Sequence, residues 1–157
     1  MGRTLTSVKR RHYRVLHRDP AAFSVPATAA DFDTFLATFT ELGYCEGGSI
    51  ESSIETQEKI SLDDGTRLPV GIKGTLKGTL LQSEVADYTA VETIEGVKQD
   101  ILLYSEDTGM CIFYPNAILE FQESVKSGDI EKIPFTYEAE NLGSKSEFRT
   151  RFQQPTA

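Results

Sequence analysis

The spacing of apolar positions changes along this chain, and each change marks an element. Phe32, Phe35, Leu36, Phe39 and Leu42 recur at intervals of three and four, the single stripe of an amphipathic helix over 29–42. Thr28 and Asp31 make an approximate capping box ahead of it, and Gly43 is a suitable stop behind it. From residue 49 to 62 the interval becomes two. Ile50, Ile54, Ile60 and Leu62 share one face, while Ser49, Glu51, Ser53, Glu55, Gln57, Lys59 and Ser61 share the other. Asp63-Asp64-Gly65 is a hairpin turn signal, and the chain returns through Val70, Ile72, Leu76 and Leu80 with Gly74 and Gly78 interleaved. A long hairpin is predicted. Val85, Tyr88, Val91 and Ile94 then recur at threes, a short second helix over about 84–95 that Gly96 ends.

The last third, 97–140, reads as a meander of three runs joined by Glu106-Asp107-Thr108-Gly109 and Ser127-Gly128-Asp129. Residues 101–104 and 110–114 are apolar on both faces, as in strands covered on one side by a helix or a partner. In the third run Ile133, Phe135, Tyr137 and Ala139 alternate with Pro134, Thr136, Glu138 and Glu140, so one face is apolar and the other wet and acidic. Pro115 marks a bulge or an edge. Near the start, Tyr13, Val15 and His17 share a face of a short strand, and Pro20 and Pro26 bracket a linker. The fold class that follows is mainly β: an antiparallel β-sandwich or barrel with one flanking α-helix and a short second one. Residues 1–18 read as a basic arm with the first strand, 19–143 as a single domain, and 144–157 as a tail or an edge strand.

Charge adds something the periodicity does not show. The chain of 157 residues has a formal net charge of −8, unevenly spread. Residues 1–18 hold Arg3, Lys9, Arg10, Arg11, Arg14 and Arg18 and no acid, a net +6; the rest keeps ten basic and 24 acidic side chains, a net −14. Such an arm either binds nucleic acid or docks on a neighbouring copy of the acidic body. Arg10, Arg11, Tyr13 and Arg14 are its candidate contact residues. No apolar run approaches the roughly 20 residues of a membrane span, and the basic start lacks the apolar core of a secretory signal. A soluble chain is expected.

The chain holds few chemistry-bearing patterns. Cys45 and Cys111 have neither metal-ligand spacing nor a neighbouring histidine, and read as small, reduced core thiols of an intracellular protein. His12 and His17 lie among cations, and Gly-x-Ser-x-Gly is absent. Gly74-Thr75-Leu76-Lys77 followed by Gly78-Thr79-Leu80 lacks the Gly-Lys-Ser/Thr ending of a phosphate loop and sits within a strand pattern. Glu51 with Glu55, and Glu138 with Glu140, share strand faces and could serve acid–base work or a hard cation, yet solvated strand faces are polar in any case. No catalytic residue, metal or cofactor is expected, and no enzyme. The main alternative is a monomeric β-barrel that binds a small ligand or nucleic acid.

The order of parts also resembles a known family. An early strand and a linker lead to Leu42-Gly43-Tyr44-Cys45-Glu46-Gly47-Gly48-Ser49-Ile50-Glu51 and a long amphipathic hairpin; a helical segment, Asp100-Ile101-Leu102-Leu103-Tyr104 and a closing Gly128-Asp129-Ile130-Glu131-Lys132-Ile133-Pro134-Phe135-Thr136-Tyr137 follow. Over roughly 40–140 this looks like a tail tube protein of a tailed bacteriophage, a family similar in fold to the haemolysin-coregulated protein of type VI secretion. It departs from the usual pattern in placing the helix 29–42 before the hairpin. The resemblance implies a structural virion protein of the tail, made in the host cytoplasm. Its partners would be itself in stacked hexameric rings, other tail proteins, and DNA only in transit, with no membrane. Glu51, Ser53, Glu55, Gln57 and Lys59 would then be the candidate channel-facing residues, and an acidic lining would avoid trapping DNA.

Overall fold

The computed structural model describes the backbone of residues 13–46, 49–56, 59–61, 63–65, 67–69, 71–82, 85–122 and 131–156. The expected turn at Ser127-Gly128-Asp129 lies outside them, as do Arg10, Arg11, His12 and Gln57. In chain order the elements are β1 (Arg14–Arg18), α1 (Ala29–Ala37), β2 (Thr40–Tyr44), β3 (Glu51–Thr56), β4 (Lys59–Ser61), β5 (Arg67–Pro69) and β6 (Ile72–Gln82). They continue with α2 (Val85–Ile94), β7 (Lys98–Tyr104), β8 (Met110–Ile118), β9 (Glu120–Phe121), β10 (Glu131–Leu142), a 3-10 turn (Lys145–Glu147) and β11 (Thr150–Gln153).

The strands form two antiparallel sheets packed face to face, the sandwich that the alternation predicts. One has the order β11-β8-β7-β1-β2 and the other β3-β6-β10-β9. The long hairpin is present and continuous in register. Glu51 faces Lys77 and Thr56 faces Ile72 in the β3–β6 part, while Lys59 faces Pro69 and Ser61 faces Arg67 in β4–β5, so no residue is gained or lost between the two parts. The end of β2 stitches the sheets together at one corner. There the Cys45 N–H donates to the Tyr13 carbonyl at 3.0 Å, and the Glu46 N–H donates to the Thr79 carbonyl at 2.8 Å.

The central strands of the first sheet are covered on both faces, which explains why residues 101–104 of β7 and 110–114 of β8 are apolar. Between the sheets, Val15, Ile101, Leu103, Ile112 and Tyr114 meet Leu76, Leu80, Ile133, Phe135 and Tyr137, with Val91 and Ile94 of α2 joining them. On its other face Leu16, Leu102, Tyr104, Cys111, Phe113 and Phe152 pack under Phe32, Phe35, Leu36 and Phe39. A nine-residue helix is marginal alone in water. Burying a large apolar side chain contributes about 1.5–3 kcal/mol, so it is the aromatic stripe that keeps α1 folded. Its start is as expected, since the Thr28 hydroxyl accepts from the Asp31 N–H at 3.1 Å.

Two expectations are corrected. The helix ends at Ala37, with Thr38 as its cap, and not at residue 42. Leu42 keeps the helical spacing but belongs to β2, where Thr40 and Glu41 pair with His17 and Leu16; ladder bonds to β1 win over another helical turn. Gly43, at φ 151°, lies in the bulge where that register shifts. The meander is also not a single run of neighbours. β7 and β8 pair, but β10 crosses to the other sheet beside β6, and the two-residue β9 makes the transition. Pro115 does mark a bulge: the register of β7 and β8 slips there, and the Asn116 N–H turns to donate to Asp100 at 3.1 Å.

Candidate functional site

The surface that the sequence singles out is the outer face of the second sheet. Side chains alternate through β3, β6 and β10, so Leu76, Leu80, Ile133, Phe135 and Tyr137 point to the core and their neighbours to solvent. Glu51, Ser53 and Glu55 are exposed on the outer face of β3. Lys59 continues the hairpin in β4, where only its backbone is described. The sequence shows the acids of this face more readily than the cations between them. Pairing sets Lys77 opposite Glu51 and Lys73 opposite Glu55, and the Lys73 ammonium lies 3.8 Å from the Glu140 carboxylate. Glu138 stands opposite Thr75, and both Glu138 and Glu140 are exposed. The described face carries more acids than cations, and its Lys73–Glu140 pair is worth about 0–1 kcal/mol at the surface.

Both lateral edges of this sheet are open among the described residues. β3 pairs with β6 alone, and among the described residues β9 and Gln122 cover β10 only from Pro134 to Thr136. Beside that short β9 lies a groove of about 590 Å³, walled by Glu120, Glu138 and Glu140 and floored by Ile118 and Phe121. Only β10 carries an obvious signal for it in the sequence; β9 is too short to show as a strand.

Of the candidate arm residues, Tyr13 and Arg14 belong to the body. Tyr13 is buried in the inter-sheet core. The Arg14 guanidinium donates to both carboxylate oxygens of Glu41, at 3.0 and 2.7 Å, and to Glu106. The hydrogen bond to Glu41 is the main cause of its raised pKa, with both carboxylates adding to it. Arg18 is likewise committed within the chain. Its Nε donates to the Asp100 carboxylate at 3.0 Å, and its guanidinium lies over Phe39 at 4.7 Å, Phe35 at 5.3 Å and Phe113 at 5.6 Å. Asp100 also accepts from the Ala21 N–H, fixing the linker before α1. This clasp spans 82 residues of sequence and has no local signature.

Cys45 and Cys111 are free and buried, and burial pushes both thiols up to about 12. His17 Nδ1 sits 3.0 Å from the Gln99 side-chain oxygen, in a network that reaches Asp19 through the Gln99 amide. Among the described residues no group of three or more His, Cys, Asp or Glu side chains could hold a metal ion, and no helix is long and apolar enough to cross a membrane.

No family model matches the chain, and no curated protein matches it. Among solved structures it is similar to a chain in the virion of a native gene transfer agent particle, with a TM-score of 0.45 and 12% identity over 69% of this chain and 91% of that one. It is also similar to a chain in the tail of an empty gene transfer agent particle, described as helically refined with C6 symmetry, with a TM-score of 0.47 and 10% identity over 84% of this chain and 96% of that one.

Proposed function

We propose that this chain is a non-enzymatic structural subunit of a phage-type tail, a tube protein that assembles into stacked rings within the virion. The observation that carries it is the second sheet: one face on the core, the other mostly polar with Leu81 and Pro134 as its apolar members, and both edges unpaired among the described residues. An exposed edge is a template for pairing with another chain, and monomers commonly blunt or cover it. Pairing the β3 edge of one copy with the outer edge of β9 in the next closes a ring, leaves β10 unpaired beyond β9, and turns the polar face towards a channel. Six copies to a ring is our proposal for the closure, and DNA passes through without being held. The sheet α1 covers would form the outer wall.

Sedimentation velocity and negative-stain microscopy of the purified chain test this, alone and with tail initiator proteins. Rings or tubes are expected. A strict monomer at high concentration under every one of these conditions would overturn the proposal and leave the groove beside β9 as the binding site of a monomeric barrel. Replacing Glu51 and Glu55 together with Gln separates structure from catalysis: assembly is expected to persist, because both side chains are solvated and outside the core.

A further inference from the structure

We propose that residues 1–11 of one copy dock along the open edge of β10 in a second copy, related to the first head to tail. The inference deepens the assembly reading above and rests on it.

The acceptor is a strand edge with a groove beside it. The Gln122 N–H donates to the Pro134 carbonyl at 2.9 Å, so the backbone groups of Pro134 face β9. Alternate residues of a strand face the same edge, so those of Thr136 and Glu138 do too. Thr136 is paired with Glu120, but the strand has no partner on that side at Glu138 among the described residues. Below the edge lie Phe121 and Ile118, the latter 38% exposed, and around it stand the carboxylates of Glu120, Glu138 and Glu140. An extended, cationic segment with some apolar character fits this chemistry by adding a strand.

The chain itself contains such a segment. Residues 1–11 hold Arg3, Lys9, Arg10 and Arg11 with Leu5 and Val8 and no acid. Arg14 and Arg18 are consumed within the body, so it is the four cations of residues 1–11 that are assigned to the groove. The two partners lie at opposite ends of the molecule. Tyr13 sits at the end that holds Cys45, Leu80 and the Lys132–Glu46 ion pair, while Glu138 lies six residues along β10 from Lys132, about 20 Å away. A copy placed end to end therefore brings its groove to the arm. Each end also exposes an apolar side chain, Tyr44 at the first (54% exposed) and Val97 next to Ile118 at the second (47%). An extended stretch of 11 residues spans up to about 35 Å, enough to cross such a junction. Contact of this kind is heterologous and propagates, as stacking requires.

Charge reversal in full-length chains tests it. Arg10→Glu with Arg11→Glu gives an acidic arm, and Glu138→Lys with Glu140→Lys a basic groove, on outward-facing positions. In sedimentation velocity each double variant is expected to associate end to end at least tenfold more weakly than the parent. A 1:1 mixture of the two, and the chain carrying all four changes, are expected to recover. Variants that stack as the parent does, or fail to recover in the mixture, overturn the docking while leaving ring formation intact. Proximity reads the contact separately from ring closure. Chains with Arg11→Cys mixed with chains with Glu138→Cys are expected to form a disulfide between chains on mild oxidation. No link, or a link found only within a chain carrying both changes, overturns the proposal.

Discussion

Close packing makes single atoms count at the centre of the sandwich. Phe148 stacks on Tyr137 at 5.6 Å and meets Tyr114 edge-on at 5.2 Å, and a side chain at Gly74 would occupy the space of the Phe148 ring. Gly74→Ala is therefore expected to destabilise the chain by about 1–3 kcal/mol, read from the midpoint of urea unfolding, although alanine normally favours a strand over glycine. Asp100→Ala removes one half of a buried ion pair whose side chains are 9% and 2% exposed, and it orphans the Ala21 and Asn116 N–H groups. Breaking such a pair costs about 3–5 kcal/mol, so a correspondingly large fall in unfolding free energy is expected. The thiols give a pH dependence. Cys45 and Cys111 hold their protons up to about pH 12 when folded but release them near 9.0 when unfolded, so between these values the unfolded chain binds fewer protons and stability falls as pH rises. Tyr104, Tyr114 and Tyr137, also raised by burial, act in the same direction. Denaturant titrations from pH 8 to 11 check the sign, and at pH 8 both thiols are expected to resist a thiol reagent until the chain is unfolded.

Elements were legible where their signals are local. Thr28 caps α1 as the sequence implies, and Thr28→Ala is expected to cost about 1 kcal/mol of stability in thermal or denaturant unfolding. The hairpin turn at Asp63-Asp64-Gly65 and the glycine after α2 are equally local; Gly65 and Gly96 have positive φ, as a turn and a helix end demand. The misread elements depend on distant partners. Leu42 fits a helix by spacing and a strand by pairing, and only β1, some 26 residues earlier, decides between them. The destination of β10 was hidden for the same reason: its alternation shows a half-wet strand but not that β6 is its neighbour. The outer face was legible as polar but not as mixed in charge, because the cations opposite Glu51 and Glu55 are placed there by register and not by composition.

At the scale of the whole molecule the chain is three layers: α1, a sheet whose central strands are covered on both faces, and a sheet with one wet face. The arm of six cations read from the sequence divides on folding. Arg14 and Arg18 become internal struts, and the docking proposed above assigns the other four to a partner. The layering has a cost that appears only when it opens. α1 and the linker held by Arg18 are the only described cover over Leu16, Phe113 and Phe152, and a nine-residue helix has little stability to hold itself there. Partial opening at this site would bare a flat aromatic surface while the rest of the sandwich stays folded. Storage life and resistance to aggregation should therefore follow how often one short helix lifts, more closely than they follow the stability of the sandwich as a whole.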